Sequence, residues 1–135
     1  AVDLYGLSDL TRIGDDYSDT VKAAHASAGS TEALWVNGSP VFGGTDGGIL
    51  ADKKAAHAAN PISYISKKSA PMLLMHGTKD TLVSPSQTDL LFQALQQKGI
   101  PSKRYLVDGA AHGGIYWNQE EVMDIITHFF DQYMK

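Results

Sequence analysis

Apolar and polar positions along the 135 residues are strongly ordered beyond Pro61 and weakly ordered before it. Ala70-Pro71-Met72-Leu73-Leu74-Met75-His76-Gly77 is a continuous apolar run bounded by proline and glycine, which fits a strand buried on both faces. Ser84-Pro85-Ser86-Gln87 then offers an N-cap, a proline at the first helical position and a glutamine three residues after the cap, and Gly99 stops the helix. Between them Leu90, Leu91, Ala94 and Leu95 keep an amphipathic period. Lys103 to Val107 reads as another strand, and Asp108-Gly109 turns the chain. Asn118 with Glu121 forms a second capping box, opening a helix on which Val122, Ile125, Ile126, Phe129, Phe130 and Tyr133 recur at steps of three and four.

In the first part of the chain, Val2 to Tyr5 reads as a short strand closed by Gly6, with Ser8 or Asp9 capping the turn that follows. Ser18 is placed to cap a small Ala-rich helix ending near Gly29, Gly43-Gly44 and Gly47-Gly48 mark a loop, and a short helix runs from about Leu50 to Ala58. So long a stretch with so little period predicts a lid-like excursion, residues 11–60, passing over a site. Strand, excursion, strand, helix, strand, helix is an α/β alternation, and a parallel sheet covered on both faces, a three-layer αβα arrangement, is its simplest solution. About three strands make a small sheet with an open first edge, so the expectation is an incomplete one. Residues 1–135 then form a single half-domain whose free strand edge pairs with a missing part or with a second copy in a homo-oligomer.

Composition narrows the functions. Hydrophobic residues at 43% and charged residues at 19% allow a core and leave little room for disorder. With 11 Lys+Arg against 15 Asp+Glu, a net charge of −4 and no basic run, neither nucleic acid nor a membrane surface is an expected partner. The absence of cysteine removes disulfides, thiolate metal sites and cysteine nucleophiles, and permits a reducing compartment. No apolar run approaches the roughly 20 residues of a membrane span and no signal-peptide pattern occurs, so the expected location is cytoplasmic, with secretion left open because the parent N-terminus is not visible. His25, His57 and His128 show no ligand spacing with Asp or Glu and read as surface residues; no metal and no organic cofactor is expected.

In doubly wound sheets reactive groups gather just beyond the carboxyl ends of the strands. Asp80 follows one strand in His76-Gly77-Thr78-Lys79-Asp80-Thr81-Leu82-Val83, and His112 follows the next in Asp108-Gly109-Ala110-Ala111-His112-Gly113-Gly114. Meeting across neighbouring strand ends, the carboxylate would fix the tautomer of the imidazole and leave its other nitrogen to serve a nucleophile. His76 ends a buried strand and reads as a packed or hydrogen-bonded histidine beneath the site. Tyr116 and Trp117, directly after His112, are the favoured substrate-binding aromatics; Trp35 and Phe42 are further pocket candidates, and Asp46 is read as a loop carboxylate.

The run Asn60-Pro61-Ile62-Ser63-Tyr64-Ile65, Pro71, His76-Gly77-Thr78-Lys79-Asp80, Val83, Pro85, Gln87 and Ala111-His112-Gly113-Gly114 closely resembles the C-terminal half of α/β-hydrolase esterases and lipases. The nearest groups are feruloyl/acetyl-xylan esterase-like, with prolyl-oligopeptidase-like serine hydrolases further off. Tyr5-Gly6-Leu7-Ser8-Asp9-Leu10 is similar to the strand end that follows the nucleophile helix in those enzymes. The resemblance implies that Asp80 is the triad acid and His112 the triad base. It also implies a G-x-S-x-G elbow and an HGGG-type oxyanion loop, and neither motif occurs in this sequence. His25-Ala26-Ser27-Ala28-Gly29 has histidine where the elbow needs its first glycine and follows an Ala-rich helix, so Ser27 is a weak nucleophile candidate and reads as a helix-end residue.

The sequence thus predicts the acid-and-base half of a carboxylic-ester hydrolase. Its partners are the missing N-terminal half and a small ester, and the chain by itself is inactive for want of nucleophile and oxyanion donors. The alternatives are a non-catalytic half-domain that assembles through its strand edge, and a chain active alone through Ser27.

Overall fold

Three parallel strands pair in the order β1-β2-β3, with β1 at Val2–Leu4, β2 at Met72–Gly77 and β3 at Ser102–Val107. The structure, a computed structural model, describes residues 1–38 and 47–134. Registers such as Leu4↔Met75 and Gly77↔Val107 set the carboxyl ends of all three strands at one rim. Alternation along β2 divides its side chains between two layers, as a central strand requires. Leu73 and Met75 pack with Trp117, Val122 and Phe129 on one face, whereas Leu74 packs with Leu91, Leu95 and Ile100 on the other. The covering elements are α5, Glu120–Tyr133, and α4, Ser86–Gln97, so the three-layer arrangement forms as the alternation predicts. Among the described residues β1 pairs only with β2, and its outer edge is unpaired.

Among the described residues of the excursion there are three further α-helices: α1 at Asp19–Ala26, α2 at Thr31–Asn37 and α3 at Lys53–Ala59. They enclose a small core of their own, in which Leu10, Ile13, Ala33, Ile49 and Ala56 close over Val83 from the loop after β2. The sequence reading of one helix from Ser18 to Gly29 is too long, because Ser27 closes α1 by donating from its backbone and its hydroxyl to Ala24. It also missed α2, which Ser30 caps through Ala33 N–H. Neither expected capping box forms. Pro85 is the N-cap of α4, and Gln87 instead turns inward to accept from the backbone N–H groups of Ser8 and Asp9. At α5 the cap is Gln119, and Asn118 belongs to a preceding 3-10 turn, Ile115–Asn118. The Gly43-Gly44 loop, Phe42 and Asp46 lie outside the described residues.

Candidate active site

The loops after β2 and β3 are laced together before any functional group is considered. Lys79 N–H donates to Ala110 O at 2.9 Å, and Thr78 Oγ1 donates to Asp108 Oδ1 at 3.0 Å while accepting Gly109 N–H at 2.9 Å. This lacing brings His112 to Asp80: the ring nitrogen Nδ1 lies 2.9 Å from Asp80 Oδ2. An ionised carboxylate only accepts, so Nδ1 carries the proton and the lone pair of Nε2 is free to take another. The Asp80 side chain is fully buried, while that of His112 is 32% exposed.

Every lone-pair direction of the Asp80 carboxylate has a use. Oδ1 accepts the backbone N–H groups of Leu82 and Val83 at 2.9 and 3.0 Å, and Oδ2 accepts from both His112 and the Nε2–H of His76, the latter at 3.1 Å. Burial alone pushes the Asp80 carboxyl upward, but the N–H groups of Val83 and Leu82 and the neighbouring His112 outweigh it and hold the acid below its ordinary range. His76 is completely buried, and burial holds it below the ordinary imidazole value against the opposing pull of Val83 O and Asp80. It is therefore the neutral tautomer protonated on Nε2, a donor shared between Asp80 Oδ2 and Val83 O, with Nδ1 left without a partner among the described residues. The hydrogen-bonded histidine expected beneath the site is present, and its partner is the acid itself.

Both shifts destabilise the fold toward acid. The folded state resists protonation of His76 below 6.5 and of Asp80 below 3.8, so protons bind the unfolded chain first as pH falls through each ordinary value. The contributions of His76 and Asp80 are full above the first value and are lost in two steps beneath it, the lower step opposed by Asp3, whose burial raises its carboxyl above the ordinary range. The urea midpoint followed from about pH 8 to about pH 3 is expected to show both, and His76→Gln to erase the upper step while keeping the lower.

The excursion is fastened to this acid loop. Tyr17 donates its hydroxyl to Asp80 O at 3.0 Å, Ser84 N–H donates to Ile13 O at 3.0 Å, and Ser86 N–H donates to Asp16 Oδ2 at 2.7 Å. Burial, then the charges of Asp80 and Asp16, push the Tyr17 hydroxyl above its ordinary range, so it stays a donor. A cavity of about 290 Å³ opens between Leu82-Val83 and α2, with Trp35 and Ile13 among its apolar walls. His25 is not the lone surface histidine expected from its sequence spacing: its Nδ1 bonds the buried Glu32 at 2.7 Å on the same cavity.

The remaining candidates are placed as follows. Trp117 is buried and donates Nε1–H to Ala111 O at 2.9 Å, which fixes the residue before His112. Tyr116 is half-exposed with its ring against Gly109. Ser27 spends its hydroxyl on Ala24 O at 2.7 Å, and among the described residues no serine hydroxyl is hydrogen-bonded to His112. Tyr5 escaped the sequence reading: its ring lies 4.7 Å from that of His112, yet a tyrosine at a strand end carries no local signal of such a role. Among the described residues no three metal-ligating side chains are gathered and no helix is long and apolar enough to cross a membrane.

Comparison with known proteins supplies a family and a fold. Residues 1–95 match the family model described as BD-FAE. Dipeptidyl-peptidase 4 of Giardia intestinalis is 32% identical over 90 residues, which are 63% of this chain and 12% of that protein. Among solved structures, a truncated carbohydrate esterase from gut microbiota aligns at a TM-score of 0.77 and 21% identity, over 99% of this chain and 42% of that one. An acetyl ester-xyloside bifunctional hydrolase from Caldicellulosiruptor lactoaceticus aligns at 0.69 and 16% identity, over 97% and 41%. The chain therefore spans less than half the length of each of these proteins.

Proposed function

The chain belongs to the BD-FAE family and carries part of an α/β-hydrolase sheet, and from that premise we propose that it is the acid-and-base portion of a serine carboxylic-ester hydrolase. The observation that carries the reading is the 2.9 Å contact between His112 Nδ1 and Asp80 Oδ2, with Nε2 making no hydrogen bond among the described residues. In the proposed reaction a serine hydroxyl gives its proton to Nε2 as its oxygen attacks the ester carbonyl. The imidazolium, held by Asp80, then returns that proton to the departing alcohol, and water repeats the sequence on the acyl-enzyme. Stabilisation of the tetrahedral oxyanion requires donors outside this pair.

The serine is assigned to a segment outside these 135 residues. Two observations support this: Ser27 is bonded away at a helix end, and among the described residues β1 has an unpaired edge to which further sheet could add. The 135-residue chain by itself then turns over no ester. The esterase neighbours support a small ester as substrate, and the dipeptidyl-peptidase relative keeps a peptide bond as the alternative within the same chemistry.

Fluorophosphonate labelling of the full-length protein, with peptide mapping, tests the assignment. The expected adduct is a single serine outside this chain, lost together with hydrolysis of a chromogenic short-chain ester when that serine is changed. An adduct on Ser27 would overturn the assignment. Neither labelling nor hydrolysis would leave the reading of a half-domain that only assembles through its strand edge.

A further inference from the structure

The pleat of β1 sends alternate side chains to opposite faces, and Val2 and Leu4 both go to the face covered by α5. Tyr5, next in line, belongs by that alternation on the other face. It packs on the α5 face instead, because its φ of 49° places it in the left-handed region and swings the side chain back. A bulky aromatic residue rarely adopts that conformation, and holding it there costs free energy that the surroundings must supply. A hydrogen bond beyond the strand end does so. Tyr5 N–H donates to Met75 O at 2.7 Å, extending the ladder one bond past β1. Gly6 follows with its Cα against the Asp3 carboxylate, where a Cβ would lie 2.0 Å from Asp3 Oδ1 and that side chain would have to turn aside.

The re-aimed ring ends 4.7 Å from the centroid of the His112 ring, tilted by 56°, and 4.7 Å edge-on from Trp117. Asp80 holds His112 at a single atom, and the two residues after it, Gly113 and Gly114, have φ of 93° and 96° and no side chain to restrain it. A ring held at one point still swings. We propose that Tyr5 is a positioning residue for His112, its strained backbone aiming an aromatic brace that holds the imidazole in the orientation reaching Asp80. The catalytic consequence rests on the reading of His112 as the base. The brace also faces the ring at a distance where an aromatic π-cloud stabilises the positive charge that the imidazole gains in the reaction.

Glycine adopts the same backbone freely, so Tyr5→Gly removes the ring and keeps the turn, and Tyr5→Phe keeps the ring and removes the hydroxyl. In the full-length protein Tyr5→Gly is expected to lower kcat by about 10²-fold with KM within about twofold, and Tyr5→Phe to remain within about threefold of the parent. The second readout needs no substrate: the Nδ1–H proton of His112, seen by NMR in ¹⁵N-histidine-labelled protein, persists in Tyr5→Phe and is lost to exchange in Tyr5→Gly. Loss of that resonance in a protein that hydrolyses no ester upholds the brace and refutes the hydrolase reading instead. Retention of both kcat and the resonance in Tyr5→Gly overturns the brace, as does equal loss in Tyr5→Phe. Should Tyr5→Gly fail to fold, Tyr5→Asn, which also tolerates the left-handed region, makes the same comparison.

Discussion

On the proposed hydrolase reading, Asp80→Asn in the full-length protein is expected to lower kcat by about 10³- to 10⁴-fold and to leave KM nearly unchanged, as when an orienting acid loses its charge and its acceptor character. The local bonds dictate how. Oδ1 faces two backbone donors, Leu82 and Val83 N–H, so the amide oxygen of asparagine takes that position and its NH₂ takes the place of Oδ2. The NH₂ then meets Nδ1 of His112, which must accept, and the proton moves to Nε2, where the base needs its lone pair. It also meets Nε2–H of His76, donor against donor, leaving a buried polar mismatch worth about 1–3 kcal/mol of stability. His112→Ala is expected to match the kinetic loss, with a stability cost of its own because the buried Asp80 carboxylate loses a donor, and the double variant to lose no further activity, because the two groups act as a unit. Steady-state kinetics with urea unfolding read all three; a fall in kcat of under tenfold for Asp80→Asn would remove the pair from the reaction.

How much of this was legible in the sequence follows from where each determinant lies. β2 and the stripes of α4 and α5 are periodic in the chain itself, and their boundaries shift only by the residues at which caps were expected. The meeting of Asp80 and His112 was legible because neighbouring parallel strands deliver their C-terminal loops to one rim. What stayed hidden depends on partners distant in sequence. Gln87 has the sequence of a capping residue, but its carbonyl is claimed by Ser8 and Asp9 N–H, 79 and 78 residues away. His25 and Glu32 sit on different short helices, so their pairing depends on the packing of α1 against α2 and not on a spacing along one helix. Tyr5 is less readable still, since a left-handed conformation advertises itself only when the residue is glycine.

Gly77→Ala is expected to damage both fold and site, for a reason that involves no left-handed backbone. A Cβ built on Gly77 would lie 2.2 Å from Ala110 O, 2.7 Å from Ala110 C and 3.0 Å from Ala111 O, all of them backbone atoms. No rotamer change can relieve that overlap, so the strand ends must part. Ala110 is fully buried and its carbonyl accepts Lys79 N–H, while Ala111 O accepts the Trp117 indole, so the displacement breaks the lacing that carries His112 to Asp80. The expected cost is about 1–3 kcal/mol in urea unfolding, and a shift of this size at the acid-base pair is expected to cost about 10²-fold in kcat. Gly99→Ala is the control: Gly99 has φ of 71° in open space at the end of α4, so alanine there costs about 1–2 kcal/mol of strain and leaves kcat alone. The pair of variants separates loss of stability from loss of alignment. If Gly77→Ala unfolds at the same urea concentration as the parent and keeps its kcat, the two loops are not held by close backbone approach, and the pairing of Asp80 with His112 has to be sustained by the carboxylate contacts alone.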